Sequence, residues 1–160
     1  MRESLASRDM TTDSAAVSLW RPEATLEYMR ERMRRTLAEH VGIELTEIGG
    51  DFLAGTMPVD HRTCQPMRVL HGGASVVLAE TLGSLAANAA NRDTTRRFVG
   101  QEINANHLRP VPEGSTVTGV ARPVHIGKSS QVWNIEIRNE RGQLTCVSRL
   151  TMAAIAAPTE

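Results

Sequence analysis

The stretch LHGGASVVLAETLGSLAANAA, residues 70–90, decides the fold, because it is a long apolar run with one carboxylate, Glu80, near its middle. No other charged residue occurs between Gly72 and Asn91. Burying an ionised carboxylate is costly unless a partner compensates it, so apolar helices normally avoid one. Glu80 therefore either faces water on a half-exposed helix or is retained because chemistry requires it.

The composition favours one cytoplasmic domain without nucleic-acid or membrane partners. The chain has 160 residues, and 18 Lys and Arg balance 18 Asp and Glu, so no overall charge attracts polyanions. Aromatic residues make up only 3%, which argues against a surface that stacks bases. Cys64 and Cys146 form neither a disulfide framework nor a metal-binding spacing, so we expect two reduced thiols.

The chain divides into a leader, residues 1–19, and a single domain, residues 20–157. The leader lacks the apolar core of a signal peptide and is predicted to be disordered. The apolar run is rich in small and polar residues and contains Glu80, so it is predicted to be a buried helix over residues 72–91 and not a membrane span.

The segment between leader and apolar run predicts a helix and a hairpin. RPEATLEYMRERMRRTLAEHVG, residues 21–42, has Pro22 near its start and Gly42 as a stop, and predicts one helix. Its apolar stripe is formed by Leu26, Met29, Met33 and Leu37. IELTEIGG and DFLAGTMPVD, residues 43–60, predict two strands joined by a turn at residues 49–51.

The remainder of the chain predicts antiparallel strands. Four segments separated by turn residues have strand character: residues 97–108, 115–127, 129–140 and 144–156. In the third, Trp133, Ile135 and Ile137 alternate with polar residues. A helix that is apolar on all sides needs a sheet around it, so we predict an α+β domain with an antiparallel sheet wrapped around one central helix.

Candidate catalytic residues cluster around that helix. His71 and Gly72 stand at its start, where unpaired N–H groups could stabilise an oxyanion, and Gln65 could add a donor. Glu80 and Ser84 lie four residues apart on one face. Glu80 is about 12 Å along the axis from Gly72, so one helix cannot easily offer both to one carbonyl. Two antiparallel helices in a dimer could form two composite sites.

Residues 57–87, MPVDHRTCQPMRVLHGGASVVLAETLGSLAA, resemble the hotdog-fold acyl-CoA thioesterases of the phenylacetyl-CoA thioesterase-like group. The resemblance extends over most of the chain and includes GQEINANHLRPV and HIGKSSQVWNIEI. It implies a hotdog fold, hydrolysis of an acyl-CoA with aryl-CoA favoured, and no metal or cofactor, since coenzyme A is part of the substrate. It also implies a homo-oligomer, with a dimer as the minimal unit and a tetramer as the expected assembly.

The resemblance assigns roles to individual residues. Glu80 would be the nucleophile or general base, the Gly72 N–H would polarise the carbonyl, Gln65 and His71 would orient it, and Ser84 would hold the attacking water. The residues implied in substrate binding are His107, Met67, Arg68, Thr81, His125, Gly127, Lys128 and Ser129.

Three other functions remain open at this level. A dehydratase could share the fold, although its relatives resemble an Asp/His pair, whereas this helix offers Glu80 with Ser84. A binding protein could sense acyl-CoA or an acyl carrier protein without hydrolysis. A cysteine hydrolase could use Cys64, but no neighbouring base is implied at local spacing.

Overall fold

A computed structural model describes residues 18–158, so the predicted leader lies outside the described residues except at Ser18 and Leu19. The chain forms three helices and six strands over this range. The helices are α1 (Leu26–Met33), α2 (Leu37–His40) and α3 (Gly72–Ala90). The strands are β1 (Glu44–Ile48), β2 (Leu53–Pro58), β3 (Arg96–His107), β4 (Thr116–Ile126), β5 (Ser130–Asn139) and β6 (Leu144–Ala156).

The strands form one antiparallel sheet in the order β1-β2-β4-β5-β6-β3, with α3 packed against it. This is the α+β hotdog fold, as predicted, and β1 and β2 form the predicted hairpin. Among residues 18–158, no helix has the length and apolarity that a bilayer crossing requires.

The core lies between α3 and the concave face of the sheet. Leu78 and Leu82 of α3 are fully buried, as are Trp133, Ile135 and Ile137 of β5, which confirms the predicted alternation. Gly83 permits the close helix–sheet contact, because a Cβ atom there would lie 2.4 Å from Cδ2 of Leu150. The sheet thus encloses α3 and leaves only one stripe of the helix partly exposed.

The predicted N-terminal helix exists, but the prediction of one continuous helix was wrong. The segment breaks into α1 and α2 at Arg34 and Arg35. Arg35 has a positive φ of 57°, and the Thr36 hydroxyl donates to the Met33 carbonyl at 2.6 Å, so the helical hydrogen bonds stop there. The predicted apolar stripe therefore ends at Met33, and Leu37 is 58% exposed. Neither Gly nor Pro announces this break in the sequence.

Strand β3 forms one edge of the sheet and pairs only with β6 among the described residues. It is 12 residues long and contains a register shift between Gly100 and Glu102. At its start, the Asn88 side chain donates to the Phe98 carbonyl at 2.8 Å and accepts from the Phe98 N–H at 3.0 Å, which ties α3 to the strand. A long edge strand is a surface on which another strand can pair.

Candidate active site

Glu80 is half-buried on the partly exposed stripe of α3. Burial raises the pKa of its carboxyl group above the ordinary glutamate range, because water no longer solvates the charge fully. The Ser84 hydroxyl, one helical turn further on, donates to Glu80 Oε1 at 3.3 Å. This hydrogen bond stabilises the carboxylate and so lowers the pKa of Glu80, against the effect of burial. The structure thus brings together the two residues that the sequence predicted to act as a pair.

Gly100 of β3 lies directly beneath the Glu80 carboxylate and was missed in the sequence. A Cβ atom at Gly100 would lie 2.1 Å from Glu80 Oε1, so any side chain at this position would displace the carboxylate. A glycine inside a strand is a signal for a bulge or a close approach, although the sequence could not show which side chain approaches. Gly100 therefore positions Glu80 against the sheet edge.

The start of α3 offers one backbone donor. His71 is the N-cap residue, and its Nδ1 accepts from the Gly73 N–H at 2.8 Å. The N–H groups of Ala74 and Ser75 both donate to the His71 carbonyl. Within the described part of the chain, no hydrogen bond uses the Gly72 N–H, which leaves it available to a substrate oxygen.

Two further predicted residues surround Gly72. His107, at the end of β3, places its ring over the Gly72 backbone, since a Cβ at Gly72 would lie 2.7 Å from His107 Nε2. The Gln65 Oε1 accepts from the Met67 N–H at 2.8 Å, which leaves the amide NH2 to donate elsewhere. A cavity of about 280 Å³ is lined in part by Gln65, Gly72, Ser75 and His107. These residues form a pocket of hydrogen-bond donors around the helix start.

Met67 and Arg68, predicted to contact substrate, lie on the loop before α3 and outside the lining of that cavity. Met67 is 79% exposed. Arg68 forms an ion pair with Glu113 and has a φ of 60°, a conformation unusual for a residue with a side chain. Their predicted contact with substrate remains a prediction.

The predicted coenzyme A segment, His125 to Ser129, lies far from Gly72, at the other end of α3. Gly127 and Lys128 line a cavity of about 470 Å³ together with Asn91 and Arg96, just past the last residue of the helix. Arg96 donates to the Lys128 carbonyl at 3.3 Å, which holds the two cationic residues side by side. Asp93 lines the same cavity and pairs with Arg96 at 3.5 Å, so of the two cationic residues Lys128 is the one that suits a phosphate group.

Apart from Met67 and Arg68, the predicted residues fall into two groups within one protomer. The helix-start group comprises Gln65, His71, Gly72 and His107. The second comprises Glu80, Thr81 and Ser84 in the middle of α3, with His125, Gly127, Lys128 and Ser129 beyond its end. One protomer does not bring the two groups together, in agreement with the separation of about 12 Å expected between Gly72 and Glu80.

Cys64 does not have the character of a nucleophile. It is half-buried, and burial raises the pKa of its thiol, so the reactive thiolate is disfavoured at neutral pH. This argues against the cysteine hydrolase. Among residues 18–158, no group of three His, Cys, Asp or Glu could hold a metal ion, and the absence of a metal remains a prediction.

Replacing Ser84 with Ala is expected to shift the acid limb of the pH–rate profile to higher pH. The Ser84 hydroxyl lowers the pKa of Glu80 against the effect of burial, so its removal raises that pKa further. If the reaction requires ionised Glu80, activity is then lost at a higher pH as the medium is acidified. Profiles of kcat/KM against pH for both proteins measure this shift, and an acid limb that does not move contradicts the role of the hydroxyl.

Comparison with known proteins shows what the chain resembles. Residues 67–146 match the family model described as thioesterase superfamily. The 1,4-dihydroxy-2-naphthoyl-CoA hydrolase of Escherichia coli is 47% identical over 137 residues, which cover 86% of this chain and 99% of that protein. The proofreading thioesterase EntH of Cronobacter turicensis is 49% identical over 137 residues, with 86% and 98% covered. A crystal structure of a Haemophilus influenzae thioesterase superposes with a TM-score of 0.81 at 49% identity, covering 86% of this chain and 95% of that chain.

Proposed function

This chain belongs to the thioesterase superfamily and is a thioester hydrolase, and we propose that it cleaves acyl-CoA, with aryl acyl groups favoured. We further propose that each site combines Glu80 of one protomer with the helix-start group of another. Coenzyme A is then part of the substrate, and no cofactor takes part. The resemblance of the chain to a 1,4-dihydroxy-2-naphthoyl-CoA hydrolase supports the aryl-CoA assignment.

The composite site is supported by the position of Glu80, whose carboxylate lies against Gly100 on edge strand β3. A second protomer that pairs along β3 would continue the sheet and set its own α3 antiparallel to the first. Its Gly72 would then approach Glu80, although the two residues are eight positions apart in one chain. The dimer is therefore the smallest active unit, and we expect a tetramer to form from two dimers.

The reaction needs stabilisation of an oxyanion and delivery of an oxygen nucleophile. The Gly72 N–H and the Gln65 amide NH2 donate to the thioester carbonyl oxygen, and His71 helps to orient it. Glu80 either removes a proton from a water held by Ser84, or attacks the carbonyl carbon itself to form an anhydride that water then hydrolyses. In both routes the carbon–sulfur bond breaks, the thiolate of coenzyme A takes up a proton, and the acyl group leaves as a carboxylic acid.

Coenzyme A extends away from the carbonyl toward cationic residues. Lys128 borders the cavity beyond the end of α3 and suits a phosphate of the nucleotide, whereas Arg96 in the same lining is paired with Asp93. Gly127 and Ser129 belong to the turn between β4 and β5, where backbone groups and short side chains allow a close approach of the ligand, and His125 lies at the end of β4 just before it. His107 lines the pocket around Gly72 and contacts the thioester end of the substrate.

Thiol release from a panel of CoA thioesters, aromatic and aliphatic, tests the proposed function. We expect fast turnover with aromatic acyl groups and slower turnover with aliphatic ones of similar size. A folded protein that releases no thiol from any member of the panel, including acyl carrier protein thioesters, would contradict hydrolysis and favour a binding function. Equal rates with both acyl classes would contradict the aryl preference alone.

A further inference from the structure

A third cavity opens one helical turn from the Glu80 carboxylate. It has a volume of about 290 Å³ and lies between α1, α3 and the start of β3. Ser84 and Asn88 form its floor, and both share one helix face with Glu80 because they follow it by four and eight residues. The cavity therefore begins one helical turn beyond the carboxylate, on the side away from Gly72.

The wall of this cavity offers hydrogen-bond donors. Arg21 and Arg32 each donate to the Tyr28 hydroxyl oxygen, at 2.8 Å and 3.0 Å, and their guanidinium groups lie 5.2 Å and 5.4 Å from its ring centroid. The two bonds occupy the lone pairs of the phenol oxygen, so its own O–H is left to donate. Arg97 also lines the cavity. A site built from such groups suits an acceptor that carries negative charge.

No carboxylate compensates these three arginines among residues 18–158. Their side chains take part in none of the ion pairs found there, and no Asp or Glu lines the cavity. Arg97 donates only to backbone carbonyls. The Nε of Arg21 is buried without a hydrogen-bond partner in the described part of the chain, a costly arrangement that a bound acceptor would relieve.

We propose that this cavity binds a carboxylate at the far end of the acyl group, so that the preferred substrates are half-thioesters of dicarboxylic acids with an aryl-sized spacer. The inference rests on the proposed function, which puts the thioester carbonyl at Glu80. One helical turn is about 5.4 Å, comparable to the span of a benzene ring with para substituents. The cavity is far larger than the roughly 30 Å³ that one water molecule occupies in the liquid.

A matched pair of substrates tests the proposal. The 4-carboxybenzoyl and 4-carbamoylbenzoyl thioesters have nearly the same shape and differ in charge. Because charge-assisted hydrogen bonds to arginine are strong, we expect kcat/KM to be about tenfold or more higher for the acid than for the amide. Arg32→Met is expected to reduce this ratio several-fold, and so is Tyr28→Phe, which keeps the ring beneath both guanidinium groups. Arg34→Met is the matched control, because Arg34, at the C-terminal cap of α1, pairs with Glu31 and does not line the cavity, and it should leave the ratio unchanged.

A change of the carrier of the acyl group distinguishes two possible sources of the bound negative charge. A phosphate of coenzyme A presents the same chemistry as the acyl carboxylate, so both substrates are also prepared as N-acetylcysteamine thioesters, which contain no phosphate. An acid preference that persists on this carrier and falls in Arg32→Met supports the proposal. A loss in Arg32→Met that is equal for acid and amide, and confined to the CoA thioesters, overturns it in favour of a phosphate contact.

Failure of this proposal can be told apart from failure of the proposed function. Equal rates for acid and amide in the wild type, with both rates lost in Glu80→Gln, overturn the carboxylate site and leave the hydrolase intact. Absence of thiol release from every thioester overturns both. Size-exclusion chromatography of each variant shows that the substitutions do not act through assembly.

Discussion

Replacing Glu80 with Gln is expected to reduce thioester hydrolysis by about 10³-fold or more, because the amide can neither attack the carbonyl nor accept a proton from water. The side chains are nearly equal in shape, so the contact with Gly100 and the hydrogen bond from Ser84 Oγ to Oε1 remain possible. The effect should appear in kcat, with little change in KM. Steady-state thiol release with the best substrate of the panel measures it.

The same substitution should not destabilise the protein, and this separates a catalytic role from a structural one. Burial raises the pKa of Glu80, so the folded state binds the proton more tightly than the unfolded state does. The stability contributed by this group is therefore greatest at low pH and declines as the pH rises through the folded-state pKa. At neutral pH a neutral Gln removes that penalty, and we expect an unchanged or higher Tm. An active Glu80→Gln protein, or one that fails to fold, contradicts the assignment.

Replacing Gly100 with Ala is expected to reduce kcat/KM by about 10²-fold without unfolding the protein. The added methyl carbon would lie 2.1 Å from Glu80 Oε1, and the carboxylate can move away because it ends a flexible side chain. A misplacement of about 1 Å in a catalytic group commonly costs this much. Thiol-release kinetics together with thermal unfolding measure the two effects separately.

Gly50→Ala is the matched control for this substitution. A Cβ atom at Gly50 meets no atom within 4 Å, and its φ lies outside the left-handed region, so the same chemical change should leave both rate and Tm close to wild type. Because Gly100 lies on the edge strand where we propose pairing, size-exclusion chromatography must show that Gly100→Ala retains the wild-type assembly. Near wild-type rates in Gly100→Ala would show that the carboxylate position does not matter.

Much of the fold could be predicted because the sequence periodicity is regular. The alternation at Trp133, Ile135 and Ile137 and the uninterrupted apolar run of α3 each predict one element with clear limits. The break between α1 and α2 could not be predicted, because it depends on the positive φ of Arg35 and on the hydroxyl of Thr36, not on a Gly or Pro. Helix propensity favours a continuous helix there, and the hydrogen bond from the Thr36 hydroxyl to the Met33 carbonyl competes with it locally.

The site was predictable only where its residues are close in sequence. The pairing of Glu80 with Ser84 follows from helical spacing, and the pairing of His71 with Gly72 follows from the start of the helix. Gly100 could not be assigned to Glu80, because the register of β3 against α3 is a tertiary property. The Arg21, Arg32 and Arg97 cluster was hidden for the same reason, since Arg97 on β3 is far along the chain from the other two.

Complementation between two inactive variants tests whether Glu80 acts at the helix start of another protomer. Glu80→Gln removes the carboxylate from one side of the composite site. On the other side, the double variant Gln65→Ala/Gly72→Ala removes the Gln65 amide and sets a methyl carbon 2.7 Å from His107 Nε2, so that the helix start or the His107 ring must shift. When the two are co-expressed in equal amounts, about half of the dimers are mixed, and each mixed dimer keeps one intact site of two. We therefore expect recovery of about a quarter of wild-type activity. Activity no greater than the average of the two variants measured alone would place the whole site within one protomer and rule out a site shared between protomers.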